Sequence, residues 1–272
     1  MNSPRPLRHL LGARFVTLAA LVLPSLGFAQ SFENGVVRFG NAGQASINEY
    51  GNLLQPFYYS EAQSQFFKLT YSNYPLDVQF GAGTGEHWTN STISVNPTLS
   101  DQVIDSSGYV PNGSDGGYGT VTSTGNVTIG GHTLQLTQAY TLGTTDAFVS
   151  ITTSVTNTTD STIPNAHMWV GTRDDWVGNS DGPTKTKGVI VDGAFQVITD
   201  PTTPAPALQI TSGDEGVLFY SVTPGTNTVI DSCCSFTNAT QRDPATSPVT
   251  LTGDGSYALY LPIGDIAPGE TA

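Results

Sequence analysis

The chain has 272 residues, nine Lys plus Arg against 22 Asp plus Glu, and 11% charged residues beside 30 Gly and 17 Pro. A formal net charge of −13 excludes a protein that holds nucleic acid by neutralising phosphates, because that needs clustered positive charge. A hydrophobic share of 38% with 10% aromatic residues excludes a wholly disordered chain and supplies material for a core.

Residues 1–29 read as a secretory signal peptide. Arg5, Arg8 and Arg14 make a basic leader, Phe15 to Leu23 an apolar stretch too short to span a bilayer, and Gly27-Phe28-Ala29 a small-residue cleavage site. Cleavage after Ala29 leaves six basic residues, Arg38, Lys68, Arg173, Lys185, Lys187 and Arg242, against 22 acidic ones, a net charge of −16. No later run approaches membrane-spanning length, so the mature chain is expected to be secreted or displayed at the cell surface, without membrane insertion.

From residue 30 on no helical periodicity stands out, and short runs of Val, Ile, Thr, Tyr and Phe recur between Gly, Asn, Asp and Pro, the signature of strands and turns. Strands are predicted at Gly35 to Phe39, Ala45 to Ile47, Gln65 to Tyr71, Val78 to Phe80, Thr92 to Val95, Thr120 to Ser123 and Val127 to Ile129. The clearest hairpin joins Thr133–Leu142 to Val149–Val155, with Leu134, Leu136, Tyr140 and Leu142 on one face. Further strands are predicted at Ala166 to Val170, Gly188 to Val191, Ala207 to Ile210, Gly216 to Val222, Val249 to Leu251 and Tyr257 to Leu261. Many strands without intervening helices imply an all-β fold, a large antiparallel two-sheet sandwich. With no repeat of fixed period, a propeller or solenoid is disfavoured. Asn157 to Pro164 and Asp200 to Pro206 are candidate linkers, read as loops within a single domain spanning residues 30–272. The turn Pro268-Gly269-Glu270 should feed another strand, so the domain is expected to continue past Ala272.

Polar positions carry Thr, Ser, Asn and Gly in place of Lys and Glu, which gives the hydroxyl-rich exterior of extracellular β-proteins. The N-x-Ser/Thr sequons at Asn90, Asn112, Asn126, Asn157 and Asn238 arise readily by chance in so Thr-rich a chain. The two cysteines, Cys233 and Cys234, are adjacent, so they staple no distant segments; a small vicinal ring and a reduced pair fit equally, with an intermolecular bridge behind both.

The densest polar constellation is Gly171 to Pro183. Asp174, Asp175, Asn179 and Asp181 supply hard oxygen donors that suit Ca²⁺, although their spacing is not that of an EF-hand and Asx turns explain them as well. Paired carboxylates also raise glycoside hydrolysis, but adjacent Asp174 and Asp175 would need a partner such as Glu86, Asp214 or Glu215 from elsewhere. His87, His132 and His167 lack zinc-site spacing. Trp88, Trp176, Tyr58 and Tyr59 are the aromatic candidates for stacking on sugars.

The segments Thr172-Arg173-Asp174-Asp175-Trp176-Val177-Gly178 and Gly253-Asp254-Gly255-Ser256-Tyr257 to Pro268-Gly269-Glu270 resemble β-sandwich modules of large secreted or surface-displayed bacterial proteins. The strand layout is similar to the supersandwich of mutarotase-like and polysaccharide-processing domains. The resemblance implies a non-enzymatic extracellular module, structural or adhesive, with glycans or other surface proteins as partners. A carbohydrate-binding module or a polysaccharide-acting domain is the alternative; the His and Glu pair that a mutarotase-like enzyme needs has no match here.

Overall fold

The computed structural model describes residues 30–82, 86–87, 99–113, 116–129, 132–237, 240 and 243–272. The first strands are β1 (Val37–Phe39), β2 (Pro56–Ser60) and β3 (Gln65–Lys68), followed by β4 (Asp77–Ala82) and β5 (Glu86–His87). Four long antiparallel neighbours come next, β6 (Ser100–Asn112), β7 (Gly116–Ile129), β8 (His132–Leu142) and β9 (Val149–Asn157). β10 (Ile163–Thr172), β11 (Thr184–Val191), β12 (Ala194–Val197), β13 (Ala207–Ser212) and β14 (Glu215–Tyr220) continue the chain. It closes with β15 (Asn227–Ser232), a 3₁₀ turn at Pro244–Thr246, β16 (Thr250–Thr252) and β17 (Gly255–Ile266).

These strands form four sheets: β1-β2-β3; a central sheet β15-β17-β10-β4-β5; β12-β11-β13-β14 with β16 also on β11; and β6-β7-β8-β9. All strand pairs are antiparallel. The all-β antiparallel expectation holds, whereas four small sheets, in an arrangement resembling a four-bladed propeller, stand where one pair of large sheets was expected. Alternation along a strand fixes which of its faces is buried but not which strand it pairs with. Because the central sheet draws β4–β5, β10 and β15 with β17 from distant stretches of the chain, it leaves no sequence repeat to read.

The expected hairpin is β8–β9, in register from Leu142↔Val149 to Leu134↔Asn157. Leu134, Leu136, Tyr140 and Leu142 are all buried on its inner face. On its outer face threonines pair across the β7–β8 ladder, with hydroxyls of Thr120 and Thr141 2.9 Å apart and those of Thr124 and Thr137 3.2 Å apart. Such pairs add a few tenths of a kcal/mol each, up to about 1, and account for the Thr-rich exterior. Gly119 lies at φ 101°, and a Cβ there would strike the carbonyl of Gly108, so only glycine fits beside the register shift in β6.

The sheet β6–β9 serves two cores. Leu134, Leu136 and Val155 pack with Val78, Phe80 and Met168 of the central sheet. Val121, Tyr140 and Leu142 pack with Val37, Phe39 and Leu53. A third core joins Ile230 and Tyr257 of the central sheet to Leu208 and Ile210 of β13. On the far face of the central sheet Trp169, 1% exposed, packs with Val229, Phe236 and Ala258. His167 and Tyr260 meet its ring at centroid distances of 4.7 and 5.5 Å.

Several expectations are redrawn. Ala45 to Ile47 forms only an isolated bridge, Ile47 to Leu53, and Thr120 to Ser123 with Val127 to Ile129 are parts of one strand, β7. Thr92 to Val95 lies outside the described residues, as do residues 1–29. Asp200 to Pro206 is a loop whose Ala205 is fully buried and donates its N–H to the Asn227 side chain. Asn157, a sequon asparagine, is also fully buried and donates to the carbonyls of Ser161 and Ile266, which leaves no room for a glycan. After the 268–269 turn the chain runs along β9, where Ala272 and Val155 exchange both backbone bonds.

Candidate functional site: an aromatic and cationic row on the outer face of the first sheet

The register of the first sheet decides which side chains face outward. Arg38 pairs with Phe57 and Phe57 with Lys68, while Tyr59 pairs with Phe66, so these five share one face. The opposite face carries Val37, Phe39 and Phe67, all buried. The Arg38 guanidinium lies 4.4 Å from the Phe66 ring centre and 4.7 Å from that of Phe57. Tyr59 meets Phe66 edge to face at 5.4 Å.

The row continues through a contact distant in sequence. A bridge between Thr70 and Asp175, with the Tyr71 N–H donating to the Asp174 carbonyl, lays the 174–176 segment beside the end of β3. Lys68 Nζ then sits 3.5 Å over the Trp176 ring and 4.8 Å over that of Tyr71. Trp176 donates its indole N–H to the Gly178 carbonyl, which fixes the ring. Tyr71 lies 5.7 Å from Trp176 and 6.5 Å from Tyr74, and the Arg173 guanidinium stands 5.0 Å from the Tyr74 ring. Arg173 in turn donates to Asp77 at 2.6 Å.

Among the described residues this row holds the positive charge of the surface. Lys185 and Lys187 are fully buried and Arg173 is 9% exposed, so among the described residues Arg38 and Lys68 are the cations that reach solvent. Both are stacked on aromatic rings, an arrangement worth about 0.5–1 kcal/mol for each exposed pair and more where water is excluded. Tyr59 and Tyr71, each 38% exposed, present open ring surface along the row.

Beneath Trp176 the two adjacent carboxylates turn to different partners. Asp175, fully buried, is bound by Lys185 and accepts the Gly255 N–H at 3.3 Å. Lys185 also donates to the Gly253 and Pro183 carbonyls. Burial pushes the Asp175 carboxyl up to about 7, and the hydrogen bond and charge of Lys185 oppose the rise. Asp174 is pushed up to about 6 by burial and by the negative charges of Asp254 and Asp181. Lys187, the other inward lysine of β11, donates to the Pro244 and Ser247 carbonyls at 2.8 and 3.3 Å, and burial lowers it to about 8.

The expected Ca²⁺ set does not come together as a shell. Asp175 is engaged by Lys185, whereas Asn179 and Asp181 are exposed on the turn beyond. Nor do Asp174 and Asp175 face each other across an open cleft, the geometry a glycosidase pair requires. Of the aromatic candidates, Trp176 and Tyr59 lie on the row. Tyr58 points the other way, packing on the core with Leu69 and Ile210, where burial and Glu215 raise its hydroxyl pKa. Trp88 lies outside the described residues. Sequence reasoning missed Arg38, Phe57, Phe66, Lys68, Tyr71 and Tyr74; the alternation of Phe57 with Tyr59 and of Phe66 with Lys68 was the available signal. Cys233 and Cys234 are joined by a disulfide, the ring form among the alternatives that the sequence left open. Among the described residues no helix is long and apolar enough to cross a membrane. Comparison with protein-family models, with curated proteins and with solved structures returns no match.

Proposed function

We propose that the chain is a non-enzymatic extracellular module, exported by residues 1–29, that adheres to glycans through the outer face of its first sheet. One observation carries this reading: among the described residues both surface-reaching cations are held on aromatic rings along one face, in a row that includes the open rings of Tyr59 and Tyr71. Aromatic rings stack on the apolar faces of sugars while neighbouring donors bond their hydroxyls. Lys68 and Arg38 are the donors in place. At a net charge of −16 for the mature chain, a polyanion would be repelled from the surface at large, so an uncharged polysaccharide is the class that fits. Beneath it the β6–β9 sheet packs on the central sheet through Leu136, Val155, Phe80 and Met168. The first sheet adds its row at one side.

Retention on immobilised neutral polysaccharides tests the reading through Tyr71→Ala, which removes an exposed ring without opening a core. The variant should keep the thermal midpoint of the wild type within a degree or two and bind at least about tenfold more weakly, a loss of about 1.4 kcal/mol. Undiminished retention would remove the row from the binding surface.

A further inference from the structure

We propose that the dithiol form of Cys233 and Cys234, together with Asp174 and Asp254, is a binding site for a thiophilic divalent cation, Zn²⁺, and that the disulfide closes it. One ligand atom from each of these four residues lies within 4.8 Å of the others. Cys234 Sγ stands 3.7 Å from Asp174 Oδ2. A tetrahedral zinc with one thiolate and one carboxylate ligand separates the two by about 3.6 Å, given its usual bond lengths, so that edge of the shell is already spanned.

The frame that carries these residues is a set of backbone bonds. The β15–β17 ladder ends at Ser232↔Gly255, and the next bond, from the Cys233 N–H to the Asp254 carbonyl at 3.2 Å, sets the cysteines beside Asp254. The Asp175 N–H donates to the Gly255 carbonyl at 3.0 Å and the Tyr71 N–H to the Asp174 carbonyl at 3.0 Å. These two bonds hold Asp174 against the same turn. Two thiolates and two carboxylates from three chain segments make a mixed sulfur and oxygen shell of the kind zinc accepts.

In the disulfide each sulfur lacks the charge that binds a metal. Opening it takes two electrons and two protons; with a water-soluble phosphine, phosphorus is oxidised to the phosphine oxide, water supplies the oxygen, and its two hydrogens end on the two sulfurs. Each thiol then releases its proton to solvent as the metal binds. Cys234 is exposed and Cys233 half-buried, so a small reductant has access.

The test is equilibrium dialysis of the chain against Zn²⁺ before and after reduction by a phosphine, with Cd²⁺ as a second probe read by thiolate-to-metal charge-transfer absorption. The reduced chain should take up a single Zn²⁺ and show the charge-transfer band with Cd²⁺. The oxidised chain and Cys234→Ser should bind at least about a hundredfold more weakly, and Asp254→Asn, an exposed change that leaves the fold alone, about tenfold more weakly than the reduced wild type. Equal binding by the oxidised and reduced chains would overturn the proposal, since the carboxylates alone would account for it. Unchanged affinity in Asp254→Asn would overturn it as well, since the thiols alone would suffice.

Discussion

Lys185→Ala will lower the free energy of unfolding by about 3–5 kcal/mol at pH 8, because it strands the Asp175 carboxylate without a counter-charge in a fully buried position. The loss should shrink as the pH falls. Asp175 already has its carboxyl raised to about 7 in the fold, and a carboxyl raised above its unfolded value favours the folded state at low pH and loses that contribution as pH rises through the folded value. Without Lys185 the carboxyl rises further, so protonation below neutrality removes much of the stranded charge and with it much of the cost. Denaturant titrations of wild type and variant at pH 5 and pH 8 measure this directly. A loss below about 1 kcal/mol at both values would mean that the pair behaves as a surface salt bridge and that the turn at 253–255 does not depend on it. The double variant Lys185→Met with Asp175→Leu, which removes both charges, should recover most of the stability that the single change loses.

Trp169→Ala should cost about 3–5 kcal/mol. The indole is 1% exposed on the far face of the central sheet, between Val229 of β15, Ala258 and Tyr260 of β17, and Phe236 of the following loop. Its removal opens a cavity bounded by three strands already fixed by their ladders, so the walls have little freedom to collapse. The ring of His167, whose Nδ1–H donates to the Asn165 carbonyl at 2.9 Å, loses its edge-to-face neighbour at the same time. Trp169→Phe keeps an aromatic in the site and should cost less than half as much. The two changes are compared by chemical denaturation, with the slope of the transition checked so that a change in the denatured state is not read as a change in the core.

The sequence carried the class of the fold because burial leaves a period of two wherever one face of a strand is wet, as in β8 and β9. It was silent on β6, whose thirteen residues are exposed or half-exposed along their whole length and whose pairing with β7 is broken by two register shifts. No alternation survives there to be read. β2 was hidden by Pro56, which opens the strand where a proline is tolerated. Two of the buried charges sit on β11 at Lys185 and Lys187, inward positions where a sequence pattern leads one to expect apolar side chains. Their partners, Asp175 and the carbonyls of Pro183, Gly253, Pro244 and Ser247, come from turns that no spacing rule connects to β11.

The candidate site was legible in pieces. Trp176 and Tyr59 were recognisable as aromatic residues in polar surroundings, and the Asp174 to Asp181 turn as a concentration of oxygen donors. What joins Trp176 to the first sheet is the bridge between Thr70 and Asp175, a contact across more than a hundred residues. That bridge places Lys68 on the indole, and with it converts scattered aromatics into a row. The same turn separates the two carboxylates, Asp175 inward to Lys185 and Asp174 toward Cys234 and Asp254, so residues adjacent in the sequence end in different chemical settings.

Glycan binding by the outer face of the first sheet is the property to measure. The most direct measurement is a glycan array probed with the wild-type chain and with a Tyr59→Ala, Tyr71→Ala double variant, each with and without a calcium chelator. The wild type should bind a defined set of neutral glycans, the chelator should leave this binding unchanged because Asp175 is committed to Lys185, and the double variant should lose it. A wild type that binds no glycan, or a double variant that binds as the wild type does, would contradict it.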